Sequence, residues 1–175
     1  MKQISRRLAQ GLRALLAFAM SPDLALARKH LTGCEYAAFS ALSRSEQLHS
    51  LNVLRAVLDS QPSAPRALRA AALLHDVGKS RRRLAVWQKT LAVLMQSFAP
   101  ALSQRLSRDE SPGAWRNPFI VRRRHPQWGG EILRKCGSDS ELIWLVEHHQ
   151  AEASEMRKHP GYALLKCLQA ADNAS

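Results

Sequence analysis

Apolar residues recur along this chain at three- and four-residue steps, the spacing that lines one face of an α-helix. Ile4, Leu8, Leu12 and Leu15 fall on one side of a helical wheel with Ala19 among them, while Lys2, Arg6 and Arg13 fall roughly opposite. The first segment therefore reads as an amphipathic basic helix. Such a helix packs on its own domain with its Arg stems laid along apolar surface, or lies on an anionic membrane as a peripheral contact; packing is the favoured expectation. Ser21 and Pro22 punctuate the chain, and Glu35 to Leu58 predicts one long or two shorter helices, with Leu48, Leu51, Leu54 and Leu58 on a shared face. A loop follows from Ser60, and Pro65 opens a helix through Ala70 to His75, stopped by Gly78. Between Arg81 and Leu106, Leu84, Trp87, Leu91, Leu94, Met95, Phe98 and Leu102 form a broad apolar face, broken near Pro100. Three shorter helices are predicted over His125–Lys135, Ser138–Gln150 and Pro160–Ala171, with Asp172 just beyond the last. No strand-like alternation and no internal repeat appears, so the fold class is all-α.

The 175 residues suit one compact domain, and 46% hydrophobic against 23% charged residues is a globular balance. The division expected is an N-terminal amphipathic helical segment over 1–33, packed on a domain over 34–175 that carries a helical insertion at about 80–117. Charge adds direction: 26 Lys and Arg against 14 Asp and Glu give +12, a positive field that draws phosphate-bearing partners. Nucleotides, nucleic acid and an anionic membrane surface all satisfy it. Cys34, Cys136 and Cys167 are odd in number and lack the spacing of a thiolate metal pair, so neither a disulfide framework nor a zinc ribbon is expected, and a reducing cytoplasm fits best. Gln10 and Arg13 interrupt the apolar run after Arg7, which argues against an export signal. The longest uncharged apolar piece there, Ala14 to Met20, falls far short of the ~20 residues that span a bilayer.

The sharpest chemical feature is Leu73-Leu74-His75-Asp76-Val77-Gly78-Lys79. An apolar helix there presents an imidazole and a carboxylate at its end, and burying that carboxylate calls for a cation or several donors. One His-Asp pair alone is also what a simple helix cap looks like. The pair belongs to a series, however: His49, His75, His125, His148 and His149 lie in helical contexts, and Asp172 follows.

Leu48-His49-Ser50-Leu51, Leu74-His75-Asp76-Val77-Gly78-Lys79, His125-Pro126 with Gly129-Gly130-Glu131, Glu147-His148-His149 and Ala170-Ala171-Asp172-Asn173 stand in one order over about residues 45 to 173. In this order the chain resembles the HD-domain (HDIG-type) metal-dependent phosphohydrolases. The resemblance implies a helical bundle around a central metal site, with His49, His75, Asp76 and Asp172 holding a first ion. Asp76 would bridge to a second ion held by His125 and the His-His pair. Neighbours on a helix point about 100° apart, so the two are not expected to share one role; His148 is taken as the ligand and His149 as ligand or phosphate contact. One or two divalent transition ions of Fe, Mn, Co, Ni or Zn suit such a nitrogen and oxygen set.

Asp76 and Lys79 are the catalytic candidates, and Lys79, Arg122 and Arg124 the candidates for binding a small phosphate-bearing substrate, with a nucleotide foremost. Arg81-Arg82-Arg83 are expected to shape the field more than to touch substrate. The Gly-Tyr-Pro loop of the HD-GYP cyclic-dinucleotide enzymes is missing: Gln150-Ala151-Glu152 follows the His pair. The implied activity is hydrolysis of a nucleotide or another small phosphate ester. The alternative from another class is a non-catalytic HD module that senses a ligand or binds nucleic acid, and an oxidative reaction at the same ligands stands behind both.

Overall fold

The computed structural model describes residues 21–82, 84, 88 and 117–175. The basic first helix expected before Ser21, and most of the insertion and apolar face expected over about 80–117, lie outside the described residues. Among those described there are helices and 3-10 turns and no strand.

Helix α1 (Leu24–His30) starts where the Asp23 carboxylate accepts the Leu26 N–H at 2.9 Å. Helix α2 (Gly33–Ser40) starts with a reciprocal cap: Thr32 Oγ1 accepts the Glu35 N–H and the Glu35 carboxylate accepts the Thr32 N–H. Ala41 to Ser43 then turn the chain into α3 (Arg44–Ser60), so the stretch read as one or two helices is two. Helix α4 (Arg66–Leu74) follows Pro65 and delivers His75 and Asp76 into a 3-10 turn (Val77–Arg81).

Helix α5 runs Asn117–Lys135, starting eight residues before the expected His125, so Arg122, Arg123 and Arg124 are helical. Gly137, at φ +67°, ends it: the Gly137 N–H donates to the Arg134 carbonyl and the Ser138 N–H to the Leu133 carbonyl. That paired closure needs a left-handed residue, which glycine adopts at no steric cost. Helix α6 (Ser140–His148) is capped by Asp139, a 3-10 turn covers Ala153–Met156, and α7 (Tyr162–Ala174) closes the bundle with Asp172 inside it rather than beyond it.

Helix α4 is the axis. Ala67, Leu68, Ala70, Ala71, Ala72, Leu73 and Leu74 are all buried, as expected for a helix apolar nearly all round. It touches α1, α2, α3, α6 and α7. Burying each of Leu68, Leu73 and Leu74 contributes about 1.5–3 kcal/mol relative to leaving it in water. The consequence for chemistry is positional, because the most buried helix of the bundle ends at His75 and Asp76, which are 1% and 4% exposed.

One corner of the bundle is held by polar bonds. Arg66, at the start of α4, donates to Glu35 at 2.6 Å and to the α6 cap Asp139 at 2.8 Å, and the Ser138 hydroxyl donates to Glu35 at 2.8 Å. Beside them Cys34 and Cys136 are joined in a disulfide, with their Cα atoms 5.4 Å apart across 102 positions of sequence. This corrects the reading of the cysteines. Their pairing depends on the start of α2 meeting the end of α5, a tertiary contact that no local spacing reports, and the expectation of a reducing cytoplasm loses the support it drew from them. Cys167 is free. No helix among the described residues is long and apolar enough to cross a membrane.

Burial alone raises the Glu35 carboxyl, but the Thr32 N–H, the Arg66 guanidinium and the Ser138 hydroxyl outweigh it and hold the group below its ordinary 4.5. A carboxylate depressed in the folded state contributes stability above its unfolded value and loses it as pH falls through the folded one. Glu35→Gln is therefore expected to lower unfolding stability at neutral pH by about 1–2 kcal/mol. In urea titrations the gap to the unmodified protein should narrow as the pH drops below 4.5. A gap of constant size down to about pH 3 would show that the charge on Glu35 is irrelevant to this corner.

Candidate metal centre

His49 projects from α3, His75 and Asp76 from the end of α4, His125 from α5, His149 from the C-terminal cap of α6, and Asp172 from α7. Five elements thus bring their chemistry to one place. His49 Nε2 lies 2.9 Å from Asp172 Oδ1, and His75 Nε2 lies 3.6 Å from both Asp172 Oδ1 and Asp76 Oδ2. The other carboxylate oxygen, Asp76 Oδ1, faces His125 Nε2 at 3.2 Å and His149 Nε2 at 3.8 Å. Two groups result, His49 with His75 and Asp76, and Asp76 with His125 and His149. Within each, the potential ligand atoms lie within 4.8 Å of one another. Asp76 belongs to both.

The backbone decides which ring nitrogens face inward. His75 Nδ1 donates to the Ala72 carbonyl at 3.1 Å, His125 Nδ1 to Val121 at 2.9 Å and His149 Nδ1 to Val146 at 2.7 Å. Each carbonyl lies three or four residues back on the ring's own helix, so helical geometry supplies the acceptor. Committing the Nδ1 proton to a carbonyl leaves Nε2 as a bare lone pair, the arrangement typical of an imidazole that binds metal. Burial pushes the His75 imidazole down, with the neighbouring carboxylates only partly opposing it, and it lowers His149 to about 3. Both rings are neutral near pH 7 and offer that lone pair.

The arrangement is incomplete as a purely protein structure. His75 Nε2 is buried without any hydrogen-bond partner among the described residues, and buried polar atoms are ordinarily satisfied. His125 Nε2 and His149 Nε2 face each other at 3.2 Å, two lone pairs when both Nδ1 atoms carry the proton. A cation in the first group satisfies His75 Nε2 and one in the second satisfies His125 and His149, so these groups could hold divalent metal.

Desolvation raises the Asp76 carboxyl, yet the Lys79 ammonium beside it overrides this and holds it well below the usual carboxylate range. For Asp172, burial is likewise outweighed, here chiefly by the hydrogen bond from His49. Both are carboxylates at neutral pH, ready to meet positive charge.

His148 is placed elsewhere. Its Nδ1 donates to the Trp144 carbonyl and its ring stacks on Trp144 at 4.8 Å, with His159 on the same indole at 3.7 Å. It joins neither ligand group. Of the pair, the structure brings His149, and not the expected His148, beside Asp76.

A pocket of about 330 Å³ opens over the centre, with Asp76, His125, Lys79 and Arg122 among its lining. Lys79 is ion-paired to Asp76 Oδ2. Arg122 is exposed and pairs with no carboxylate among the described residues, and partial burial lowers its guanidinium. Arg124 does not line the pocket. Ser45, Glu46, Arg82 and Gln150 do, and of these only Arg82 stands out in the sequence, as part of a basic run. Ser45 and Glu46 sit in the first turn of α3, one turn ahead of His49, which is the signal that could have found them.

Two histidine and aspartate groups sharing one buried carboxylate inside an all-helical bundle make a site that could hold one or two metal ions. The chain belongs to the HD domain family, which it matches over residues 47–175. No curated protein and no solved structure matches it.

Proposed function

We propose that this protein is a metal-dependent phosphohydrolase acting on a nucleotide or another small phosphate ester. The observation that carries the reading is the convergence of three bare Nε2 atoms, those of His75, His125 and His149, on the one carboxylate of Asp76. His49, His75, Asp76 and Asp172 would hold one divalent transition ion, and Asp76, His125 and His149 a second. Bound there, such ions lower the pKa of water and draw charge from a phosphoryl group.

The chain's own residues supply the rest. Arg122 offers two parallel N–H donors to phosphate oxygens from the pocket wall. Lys79 compensates the Asp76 charge and stands where charge builds on the phosphate. The carbonyls of Ala72, Val121 and Val146 keep each imidazole in one tautomer and one orientation throughout. At about 330 Å³ the pocket lies near the small end of ligand sites, which run from about 300 to 1,000 Å³, and this favours a compact ester over a cyclic dinucleotide.

Protein purified without chelator is expected to carry one or two divalent ions per chain by elemental analysis. It should also release phosphate from members of a panel of mono-, di- and triphosphate nucleotides and sugar phosphates. His125→Ala should reduce turnover by roughly 100-fold or more while the helical CD spectrum stays unchanged, since even outer partners of a metal ligand are worth 10–100-fold. A metal-loaded preparation that cleaved nothing across the panel, or cleaved it equally well as His125→Ala, would replace hydrolysis by ligand sensing.

A further inference from the structure

Among the described residues, Gln169 is the side chain that ties the last helix to the His149 end of the centre. Its Nε2 lies 3.0 Å from the His149 carbonyl and 2.9 Å from the Ala151 carbonyl. Both partners are acceptors, so the amide presents its NH2 and uses both N–H groups. These carbonyls belong to the end of α6 and the turn after it, where a helix runs out of intrahelical donors. The local closure of α6, the Ala151 N–H on the His148 carbonyl, is thus supplemented from α7 by a half-buried side chain three residues before Asp172.

The spacing matters, because residues three apart on a helix share a face. On one face of α7, Asp172 reaches His49 and His75 while Gln169 grips the backbone that carries His149. Beneath them Leu165 and Leu168 are buried in the core and fix the helix in place. The turn at His149 is closed locally by the Ala151 N–H donating to the His148 carbonyl at 2.8 Å, and the His149 ring is anchored by the Val146 carbonyl; the two bonds from Gln169 tie that turn to α7.

We propose that Gln169 is a positioning residue that sets His149 against Asp76 and so couples the two ligand groups through α7. The proposal rests on the metal-centre reading above. Gln169 touches neither substrate nor ligand atoms; it acts through the His149 and Ala151 carbonyls. Loss of its two N–H donors leaves the core of α7 intact and frees the turn at residues 149–151, so the group of Asp76, His125 and His149 loses its register while His49, Asp172 and His75 keep theirs.

The test compares Gln169→Glu, which keeps the volume but loses the donors, and Gln169→Ala with Lys166→Ala, an exposed change on the same helix. Co²⁺ titration followed by visible absorption, with elemental stoichiometry, should show affinity weakened by about 10–100-fold in both Gln169 variants and unchanged in Lys166→Ala. In metal-free protein, amide exchange at residues 149–152 should speed up in the Gln169 variants while α5 remains protected. Variants that bind Co²⁺ as tightly as the unmodified chain, or that leave exchange at 149–152 unaltered, overturn the proposal. An unmodified chain that takes up no Co²⁺ strikes the metal-centre reading instead, and the exchange measurement then still decides whether Gln169 holds the His149 turn.

Discussion

Replacing Asp76 by Ala is expected to strip the protein of nearly all its bound metal and to abolish hydrolysis, while the chain still folds. Among the described residues, Asp76 is the only one common to both ligand groups. Its Oδ1 faces His125 and His149, and its Oδ2 faces His75 and Lys79. Removing an outer partner of a ligand costs about 10–100-fold in metal affinity, and removing a shared ligand should exceed the top of that range. Folding should survive, but at a cost: removing Asp76 leaves the Lys79 ammonium without its partner and forfeits the stability of a carboxylate held below its unfolded value. The outcome to look for is therefore a split: a metal-free variant that keeps its helical CD spectrum and melts below the metal-free parent, with elemental analysis near zero. Asp76→Asn, which keeps the shape and loses the charge, should fall between them. Full metal occupancy in Asp76→Ala would falsify the centre as drawn.

Much of this site is legible in the amino-acid sequence, and the reason is physical. A ligand set assembled from several helices must be written as isolated His and Asp residues at helix ends and on buried faces, and each leaves a mark against an apolar background. Leu73 and Leu74 before His75 and Asp76 are such a mark: an apolar helix ending in two ionisable groups. The fold accordingly brings His49, His75, Asp76, His125, His149 and Asp172 together. The all-helical class is equally open to reading, because helix-period leucines on α3 and the unbroken apolar run of α4 allow little else.

What stays hidden depends on rotation and long-range approach. His148 and His149 are adjacent, so the rotation of α6 about its axis decides which ring faces Asp76, and hydrophobicity on both sides of the pair does not report that angle. Trp144 takes His148 as a stacking partner, a contact across one turn that the sequence contains but does not rank. Cys34 and Cys136 meet only because α2 folds back on the end of α5. Gln169 looks like any half-polar position on an amphipathic helix, since its meaning lies in two carbonyls about twenty residues away.

The basic charge takes on a definite distribution in the structure. Arg81 pairs with Glu131, Arg134 with Glu147, and Arg66 with Glu35 and Asp139, so part of the positive excess goes into joining helices. Arg122 is different, being a pocket-lining guanidinium with no carboxylate partner among the described residues. A net charge raises the local concentration of anions over the whole surface, whereas a guanidinium left open beside the candidate centre specifies where a phosphate would stop.

Gly78→Ala is expected to be the most damaging single-methyl change in the described part of the chain, because the 3-10 turn after Asp76 lies directly on α5. A Cβ on Gly78 would fall well inside contact distance of the His125 carbonyl oxygen and 2.7 Å from the Gly129 nitrogen. Both obstacles are backbone, which cannot swing aside as a long side chain would. Gly129 is itself confined, since a Cβ there would meet the Val146 side chain of α6 at 2.8 Å, and a Cβ on Gly130 would collide with the Glu147 carboxylate. Helix α5 is therefore gripped at consecutive glycines, by the turn on one side and by α6 on the other. This close stacking places His125 of α5 and His149 of α6 beside Asp76. Added methyl groups in such contacts cost about 1–3 kcal/mol where side chains can yield, and more where only backbone can move. A loss of about 3 kcal/mol in a chain of this size should lower the thermal midpoint by roughly 6–12 °C. Gly33→Ala is the matched control, since a Cβ there meets nothing within 4 Å, and its effect should stay within about 0.5 kcal/mol. Any separation of the turn from α5 also moves His125 away from Asp76 Oδ1, so Gly78→Ala should lose metal affinity even at temperatures where it remains folded. A Gly78→Ala protein that melted with the parent and bound metal as tightly would show that the turn and α5 do not set the geometry of the centre.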